Sequence, residues 1–242
     1  MTVFYENKKI MITGASSGLG KEIVKQFAKI NCEIFLTARN LDALKKLHDE
    51  LKNANLPSSV TYKSADLTDT KEIESLIENV RNTLGHVDVL INSAGVFPVS
   101  EISNVTLAEF RHCFDLNVLA PFILTQEFCS EMKQNRLGRI INIGSSSAYG
   151  GASKTSVYCA SKHAILGLTR SLHKELKEHN IRVFCISPGS IQTPMGRKVE
   201  ALGQKYETFI DPKEIAKYII QTTSYNTQMI SEEIRLNRME VQ

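Results

Sequence analysis

The chain alternates regularly between short apolar runs and longer segments with helical spacing of apolar residues. Runs such as KIMIT, EIFLTA and VDVLIN are each followed by a segment such as KEIVKQFAKI, where apolar residues recur every three or four positions. This alternation predicts βαβ units, and therefore an α/β fold with a parallel sheet and helices on both faces. Such a fold can reach 242 residues as one unit, and no Pro/Gly/Ser-rich linker interrupts the chain. We therefore expect a single domain over residues 1–242.

The pattern predicts six strands, the last over IRVFCISPG, and one long helix over residues 107–134 that Pro121 bends. A later helix is predicted over PKEIAKYIIQTT, with Pro212 near its first turn. Between these last two elements, residues 191–210 form a polar and irregular insertion. Ligands of open α/β sheets bind beyond the carboxyl ends of the strands, so this insertion is a candidate substrate lid.

Charge and cysteine content argue against several classes of function. The net charge is only +3 and has no long basic block, so neither nucleic-acid binding nor membrane-surface binding is indicated. The five cysteines lack CxxC spacing and the six histidines lack metal-ligand partners, so no disulfide framework and no metal site are predicted. No apolar run approaches bilayer length, and the first residues lack a signal-peptide pattern. We expect a cytoplasmic protein.

The motif TGASSGLG follows the first predicted strand and opens the first helix. Its glycines, Gly14, Gly18 and Gly20, allow a tight turn and a close approach to phosphate, while the helix N-terminus offers N–H groups to a pyrophosphate. The spacing is GxxxGxG, and a plain strand-to-helix turn is the alternative interpretation. The strand before the motif and the amphipathic helix after it favour dinucleotide binding.

The segment YCASK places Tyr158 and Lys162 four residues apart, and therefore on one face of a helix. Tyrosine has an ordinary pKa near ~10, too high for an effective base at neutral pH. A nearby ammonium stabilises the phenolate and is expected to lower this pKa. An isolated YxxxK is more often a surface pair, so the other motifs decide between the two interpretations.

Four motifs occur together: TGASSGLG, NSAG at residues 92–95, NIGSS with YCASK, and SPGSIQT. In order and spacing they resemble the motifs of the short-chain dehydrogenase/reductase family over about residues 9–195. The resemblance implies a Rossmann-like, doubly wound parallel sheet. It also implies an oxidoreductase that interconverts a carbonyl and an alcohol by direct hydride transfer between a nicotinamide cofactor and the substrate, without a metal.

The resemblance also implies four catalytic residues. Tyr158 is expected to be the general acid/base, and Lys162 to lower its pKa and bind the nicotinamide ribose. Ser145, thirteen residues before the tyrosine, is expected to hold the substrate oxygen, in preference to the adjacent Ser146 and Ser147. The helix asparagine Asn117 is expected to anchor a water that links the lysine to solvent for proton relay.

The implied cofactor contacts extend over much of the chain. They are Gly14, Ser16, Ser17, Gly18, Leu19, Gly20, Arg39, Asn40, Asp66, Leu67, Asn92, Ala94, Gly95, Tyr158, Lys162, Pro188, Gly189, Ile191 and Thr193. Asp66 is expected at the adenine edge and Asn92 at the adenosine side, where NSAG replaces the more common NNAG. Ile191 and Thr193 are expected at the nicotinamide carboxamide.

The choice of cofactor depends on TARN at the end of the second strand. An acidic residue there would select NAD, whereas this chain has Ala38. The next residue, Arg39, can bind a 2′-phosphate with two hydrogen bonds, and Asn40 and Ser16 are expected to assist. We therefore predict NADPH in preference to NADH. If Arg39 is only a solvated strand-end residue, the protein would not discriminate between the two.

The substrate stays open at this point. The expected contacts are Val96, Phe97, Ser147, Tyr149, Gly150 and the 191–210 segment, a mixture of apolar and hydroxyl groups. Candidates are a 3-oxoacyl thioester, a small hydroxy acid, a sugar or a general carbonyl compound. The C-terminus lacks the VDGG ending common in acyl-carrier reductases of the family, which weakens the first option. From a different class, a non-catalytic dinucleotide-binding regulator is the alternative.

The helices predicted over residues 107–134 and 158–179 carry apolar residues on more than one side. One apolar face covers the sheet, so a second one indicates a partner. Family members usually pair these two helices across a two-fold axis. We therefore predict a homotetramer, with a dimer as the alternative.

Overall fold

The computed structural model of the protein describes residues 3–239. Its centre is one seven-stranded sheet in which every neighbouring pair is parallel, with strand order β3-β2-β1-β4-β5-β6-β7. The strands are β1 Lys9–Thr13, β2 Glu33–Ala38, β3 Ser59–Ser64, β4 Val89–Asn92, β5 Gly138–Ile143, β6 Ile181–Pro188 and β7 Glu233–Leu236. The predicted α/β class and parallel sheet are confirmed.

Helices cover both faces of this sheet. They are α1 Gly18–Phe27, α2 Leu41–Asn53, α3 Thr70–Leu84, α4 Leu107–Phe114, α5 Ala120–Asn135, α6 Ser156–Leu176, α7 Gly196–Glu200 and α8 Pro212–Thr223. Their ends follow local sequence signals. Thr106 and Glu109 form a capping box before α4, and Gly85 ends α3 with a φ of 79°.

The core consists of two layers, one on each face of the sheet. Along β1, Ile10 and Ile12 pack with α1, α2 and α8, whereas Met11 between them packs with α3 and α5. This alternation is the two-residue period of a strand that is buried on both sides. The apolar runs of the sequence are continuous for this reason.

A seventh strand, β7, was not predicted. It lies parallel to β6 at the edge of the sheet, with Ile186 opposite Ile234. Its four residues, EIRL, are too short and too charged to stand out by hydropathy. The sequence signal for this strand is the alternation of charged and apolar residues in EIRL, which matches the burial of Ile234 and the exposure of Arg235.

The long helix predicted over residues 107–134 is divided into α4 and α5 by a π-helical turn, Asp115–Leu119. Pro121 lies at the start of α5 and has no N–H to donate to the carbonyl of Asn117 four residues earlier. The predicted irregularity is therefore present, but it takes the form of a widened turn before the proline.

The candidate lid over residues 191–210 is more ordered than predicted. It contains α7 and a short 3₁₀ turn, Tyr206–Thr208, and Ile191 pairs with Ile210 in an isolated bridge. The bridge ties the two ends of the segment together. The segment therefore begins and ends at one place beside the end of β6.

One buried cation connects the N-terminal residues to the sheet. The guanidinium of Arg139 on β5 is wholly buried and lies 3.8 Å from the centre of the Phe4 ring. It donates to the carbonyls of Gly138, Thr223 and Tyr225 at 3.2 Å each, and to the side-chain oxygen of Asn226. Among the described residues it has no carboxylate partner.

Candidate active site

A cleft of about 420 Å³ opens at the carboxyl ends of the central strands. Its walls are the glycine turn after β1, the loops after β4 and β5, the first turns of α6, and the segment after β6. This is where a doubly wound sheet places its ligands, because the strand order reverses between β1 and β4. The glycine turn and the YCASK segment therefore share one cleft.

Tyr158 and Lys162 lie on successive turns of α6 at the base of this cleft. Both side chains are buried, with exposures of 8% and 6%. The Lys162 ammonium lies 5.7 Å from the centre of the Tyr158 ring and donates to the carbonyl of Ile143 at 2.8 Å. The pair is therefore an interior feature, which rules out the solvated surface pair considered from the sequence.

The pKa values of the two groups are moved in opposite directions. Burial raises the pKa of Tyr158 to about 12, although the neighbouring Ser145 hydroxyl lowers it. Burial also lowers the pKa of Lys162 to about 8. The predicted lowering of the tyrosine pKa is wrong for the protein alone, because desolvation of the phenolate outweighs the other influences. At neutral pH the phenol is therefore a proton donor.

Ser145 follows β5 and is the residue expected to hold the substrate oxygen. Its hydroxyl caps the next turn by accepting a hydrogen bond from the Ser147 backbone at 3.1 Å, and it is 8% exposed. Ser146 and Ser147 also line the cleft. Of the three serines, only Ser145 influences the pKa of Tyr158, so its hydroxyl is the one beside the phenol.

Asn117 lies in the π-helical turn and is 2% exposed. Its side chain accepts from the backbone N–H of Val96 at 2.9 Å and donates to the carbonyl of the same residue at 3.0 Å. It also donates to the Ser161 hydroxyl at 3.0 Å. The amide is thus fully engaged in holding the loop after β4. Because Pro121 has no N–H, it does not donate to the Asn117 main-chain carbonyl.

Ser161 is a positioning residue that the sequence analysis does not identify. It is wholly buried, and its hydroxyl donates to the Tyr158 carbonyl at 2.7 Å. The same oxygen accepts from Asn117. Ser161 therefore connects the π-helical turn to the helix that carries Tyr158 and Lys162. The signal was a hydroxyl three residues after Tyr158, a spacing that suits bonding to the preceding turn.

The glycine turn packs tightly against the NSAG loop. Gly14 and Gly18 have φ values of 66° and 53°, in the region that glycine adopts readily. A Cβ on Gly14 would lie 2.7 Å from the Ala94 backbone nitrogen, and one on Gly20 would lie 2.3 Å from the Gly14 carbonyl oxygen. The side chain of Ser17 makes no capping hydrogen bond. The first N–H groups of α1 are therefore free to bind an anion such as pyrophosphate.

The residues that are expected to select the cofactor, Ala38, Arg39 and Asn40, lie at the end of β2. Ala38 ends β2, and the Arg39 side chain after it is exposed, with no hydrogen bond or ion pair to any residue among 3–239. Asn40 caps α2 by accepting from Ala43 at 2.9 Å, which leaves its amide N–H groups free to donate. These groups fit a negatively charged ribose substituent.

Asp66, expected at the adenine edge, lies in the loop after β3 and is partly buried. Burial raises the pKa of its carboxyl. Hydrogen bonds from the Thr68 backbone and hydroxyl, together with the charges of Arg39 and His112, lower this pKa by more than burial raises it. The net effect is a lowered pKa. Asp66 is therefore ionised and close enough to Arg39 for their charges to interact.

Eight residues that the sequence analysis associates with the site do not line the cleft: Ser16, Arg39, Asn40, Asp66, Leu67, Asn92, Asn117 and Tyr149. Three of these, Leu67, Asn92 and Tyr149, contact the sheet or the core instead. Asn92 is 4% exposed and donates to Asn142 on β5 at 2.8 Å, so its side chain lies within the sheet. Leu67 packs in the core below α3. Tyr149 donates to Glu233 on β7 at 3.3 Å. The first two side chains pack inside the fold, and the Tyr149 side chain is turned toward the sheet edge.

Pro188, Gly189, Ile191 and Thr193 line the cleft at the end of β6, where the nicotinamide is expected. Thr193 is 8% exposed, and its hydroxyl accepts from the Gly196 backbone at 3.1 Å, which fixes the start of α7. The candidate lid is thereby anchored directly beside the glycine turn.

Comparison with known proteins agrees with these observations. The family model described as short chain dehydrogenase matches residues 8–202, and the chain belongs to this family. It is 32% identical over 228 residues to a 3-oxoacyl-[acyl-carrier-protein] reductase of Rickettsia bellii, covering 91% of each chain. It is 30% identical over 223 residues to an uncharacterized oxidoreductase of Staphylococcus saprophyticus, covering 91% of this chain and 94% of that one.

Among solved structures, the protein resembles a metagenomic short-chain oxidoreductase in complex with NADP. The TM-score is 0.85 at 26% identity, with 98% of this chain and all of that chain covered. Within residues 3–239 we find no group of three or more His, Cys, Asp or Glu side chains that could hold a metal ion. No helix in the same range has the length and apolar content to cross a bilayer.

Proposed function

We propose that the protein is an NADP(H)-dependent oxidoreductase that interconverts a carbonyl and an alcohol. The observation that carries this proposal is the convergence of Tyr158, Ser145 and Lys162 in one cleft with a glycine turn. The turn fits a pyrophosphate, because Gly14 and Gly20 have no room for a side chain, which keeps the backbone accessible, and the Ser17 side chain does not cap the N-terminus of α1. When bound, the nicotinamide nucleotide supplies or accepts the hydride.

The side chains of the cleft provide the proton and the positioning. The Ser145 hydroxyl donates to the substrate oxygen and orients it toward Tyr158. Tyr158, protonated at neutral pH, donates its proton to that oxygen as negative charge develops there. The Lys162 ammonium stabilises the phenolate that results. Asn117 holds the loop that faces this group, and its main-chain carbonyl offers an acceptor for a water that would return the proton.

Arg39 supports NADP in preference to NAD. Its guanidinium is exposed, has no partner among the described residues, and follows Ala38 where an acidic residue would repel a 2′-phosphate. Asn40 supplies free amide donors beside it. The NADP bound to the metagenomic relative is consistent with the same choice.

Two alternatives stay open from the sequence. A 3-oxoacyl-thioester reductase is supported by the relative from Rickettsia bellii and shares all the chemistry above. A non-catalytic dinucleotide-binding regulator is disfavoured because Tyr158, Lys162 and Ser145 are present, buried and adjacent.

Replacement of Tyr158 by phenylalanine tests the proposal. We expect Tyr158→Phe to keep NADPH affinity while kcat for carbonyl reduction falls ~100- to 10,000-fold, because only the general acid is removed. Tyr218→Phe is the matched control, since it makes the same change at an exposed position on α8. The measurements are nicotinamide absorbance for turnover and NADPH fluorescence for binding. Turnover by Tyr158→Phe at the rate of the unmodified protein would refute the assignment.

Two further properties are proposed on the same basis. The five cysteines are free, which supports a reducing, cytoplasmic location. Exposed apolar side chains on and beside α4 and α5 support the predicted homotetramer, with a dimer as the alternative. These side chains are Ile102, Leu107, Phe110, Leu119 and Phe122.

A further inference from the structure

The part of the cleft beyond Tyr158 has an apolar lining. Five side chains form it: Val96, Phe97, Met195, Val199 and Leu202. Phe97 packs edge-on against the Tyr158 ring at a centroid distance of 4.6 Å, so this wall begins at the reacting group. Met195 and Leu202 on the lid are 38% and 40% exposed, so part of their apolar surface is open to a ligand in the cleft.

The lining contains almost no charge. Among residues 3–239, Lys162 is the only charged residue that lines the cleft, and its ammonium already donates to Ile143 beneath Tyr158. The polar groups that remain are neutral, and they include Ser147 and Gln204. A carboxylate or phosphate that entered the apolar part of the cleft, away from the glycine turn, would therefore find no free cation.

Three of the cations just outside the lining are also engaged, whereas Lys205, beside Gln204, is exposed. Lys198 on the lid donates to the Phe97 carbonyl at 3.3 Å, and Arg238 donates to Gln204 at 2.8 Å. Lys154 pairs with Glu101 at 3.1 Å. Each of these groups would have to give up a hydrogen bond or ion pair in order to reach an anion in the cleft.

We propose that the substrates are uncharged and mainly apolar carbonyl compounds or alcohols, and that the cleft rejects an anionic substituent of the same size. The inference rests on the proposed reductase function and names the substrate class of that same site. A buried anion without a partner is strongly disfavoured, whereas each methylene that enters an apolar site improves binding about fourfold. Small hydroxy acids, one of the candidates from the sequence, are thereby excluded.

Three compounds with one carbon skeleton test the proposal. Heptan-2-one is neutral, 6-oxoheptanoate replaces its terminal methyl group by a carboxylate, and methyl 6-oxoheptanoate restores neutrality at larger size. With NADPH, we expect kcat/KM for the ketone and the ester to exceed that for the carboxylate on the order of 100-fold. Because the ester is larger than the carboxylate, its activity separates the effect of charge from that of size.

A lid variant tests whether the lack of a free cation in the cleft causes the preference for neutral compounds over the carboxylate. Leu202→Arg adds a cation at a partly exposed lining position, where a long side chain can be accommodated. We expect it to raise kcat/KM for 6-oxoheptanoate. The ratio of kcat/KM for heptan-2-one to that for 6-oxoheptanoate should therefore fall at least about tenfold. Leu202→Met is the matched control, because it keeps an uncharged apolar side chain of similar size there, and it should leave the ratio of kcat/KM between neutral and anionic compounds unchanged.

A binding measurement gives an answer that does not depend on turnover. Calorimetry with the Tyr158→Phe protein loaded with NADPH should show tighter binding of the ketone and the ester than of the carboxylate. If the carboxylate binds or reacts as well as the neutral compounds, or if none of the three binds, the substrate class is wrong. Tight binding of the neutral compounds without any reduction by the unmodified protein would instead overturn the reductase function and leave the substrate class standing.

Discussion

At the scale of single residues, burial determines the acid–base behaviour of the site. Tyr158 has its pKa raised to about 12 and Lys162 has its pKa lowered to about 8, chiefly by desolvation. The phenol therefore remains protonated well above neutral pH, while the ammonium loses its charge just above it. This combination favours proton donation to a carbonyl at neutral pH.

A pH dependence follows from these two values. For reduction, Tyr158 must be protonated and Lys162 charged, so kcat/KM should be constant below about pH 7 and fall as pH rises through about 8. Alcohol oxidation needs the phenolate and should increase with pH. Rate profiles in both directions test this, with the dissociation constant of NADPH measured at each pH as a control. A reduction profile that is flat to about pH 10 would contradict the assignment of Lys162.

A second prediction at this scale concerns Arg39. We expect kcat/KM with NADPH to exceed that with NADH by ~10-fold or more, for a charge-assisted contact of ~1.5–3 kcal/mol. Arg39→Ala should abolish this preference, and the double change Ala38→Asp with Arg39→Ala should reverse it. Lys46→Ala is the matched control, because it removes an exposed positive charge from the adjacent helix α2. A ratio near one in the unmodified protein would mean that Arg39 does not bind the phosphate.

At the scale of elements, the contact between the π-helical turn and α6 determines where the reacting groups lie. Ser161 donates to the Tyr158 carbonyl and accepts from Asn117, and Asn117 in turn binds both backbone groups of Val96. Three segments that are distant in sequence are thereby held together behind the cleft. None of these contacts uses the substrate or the cofactor.

Removal of the Ser161 hydroxyl should lower the free energy of unfolding, because its hydrogen bonds hold the fold together and none of them contacts the cofactor. The loss of buried hydrogen bonds costs about 1–3 kcal/mol, and each kcal/mol corresponds to a Tm decrease of about 2–4 °C in a chain of this size. We therefore expect a Tm decrease of about 2–12 °C for Ser161→Ala, measured by calorimetry. Ser171→Ala, an exposed position on the same helix, should change Tm by less than about 1 °C.

The sequence predicts six of the seven strands, because most of these strands are buried on both faces and they alternate along the chain with helical patterns. The edge strand β7 escapes this reasoning, since a strand of four residues with two charges has almost no hydropathy signal. The cleft residues Tyr158, Lys162 and Ser145 are found through their motif. The position of Asn92 inside the sheet and the role of Ser161 depend on tertiary contacts that local spacing cannot reveal.

At the scale of the whole molecule, exposed apolar side chains on α4 and α5 form a surface that the site does not explain. Phe110 and Phe122 are 40% and 42% exposed, and Phe110 stacks on Phe114 at 4.6 Å. Leu107 beside them is 63% exposed. A surface of this kind is costly in water, and a second copy of the chain would cover it.

Light scattering tests the predicted homotetramer. We expect a particle of about four times the chain mass of 27.1 kDa at micromolar concentration. Phe122→Asp should shift the protein to smaller species, because it places a charge in an apolar contact. Leu41→Asp is the control, since it makes a similar change at an exposed position in the first turn of α2, where an acid is tolerated. If light scattering shows that the unmodified protein is a monomer at this concentration, the predicted homotetramer is wrong.

The buried guanidinium of Arg139 has a consequence for how the protein behaves in acid and in salt. Its partners are carbonyl oxygens and the Asn226 amide, so acid has no carboxylate to protonate and added ions have no exposed pair to screen. Burial lowers the pKa of Arg139 to about 10, and below that value both the folded and the unfolded chain carry the proton. The contacts of Arg139 that connect the N-terminal residues, β5 and the end of α8 should therefore persist at lower pH and higher salt concentration than the surface ion pairs do. Acid unfolding should begin elsewhere, at carboxylates with lowered pKa such as Asp66 and Glu233.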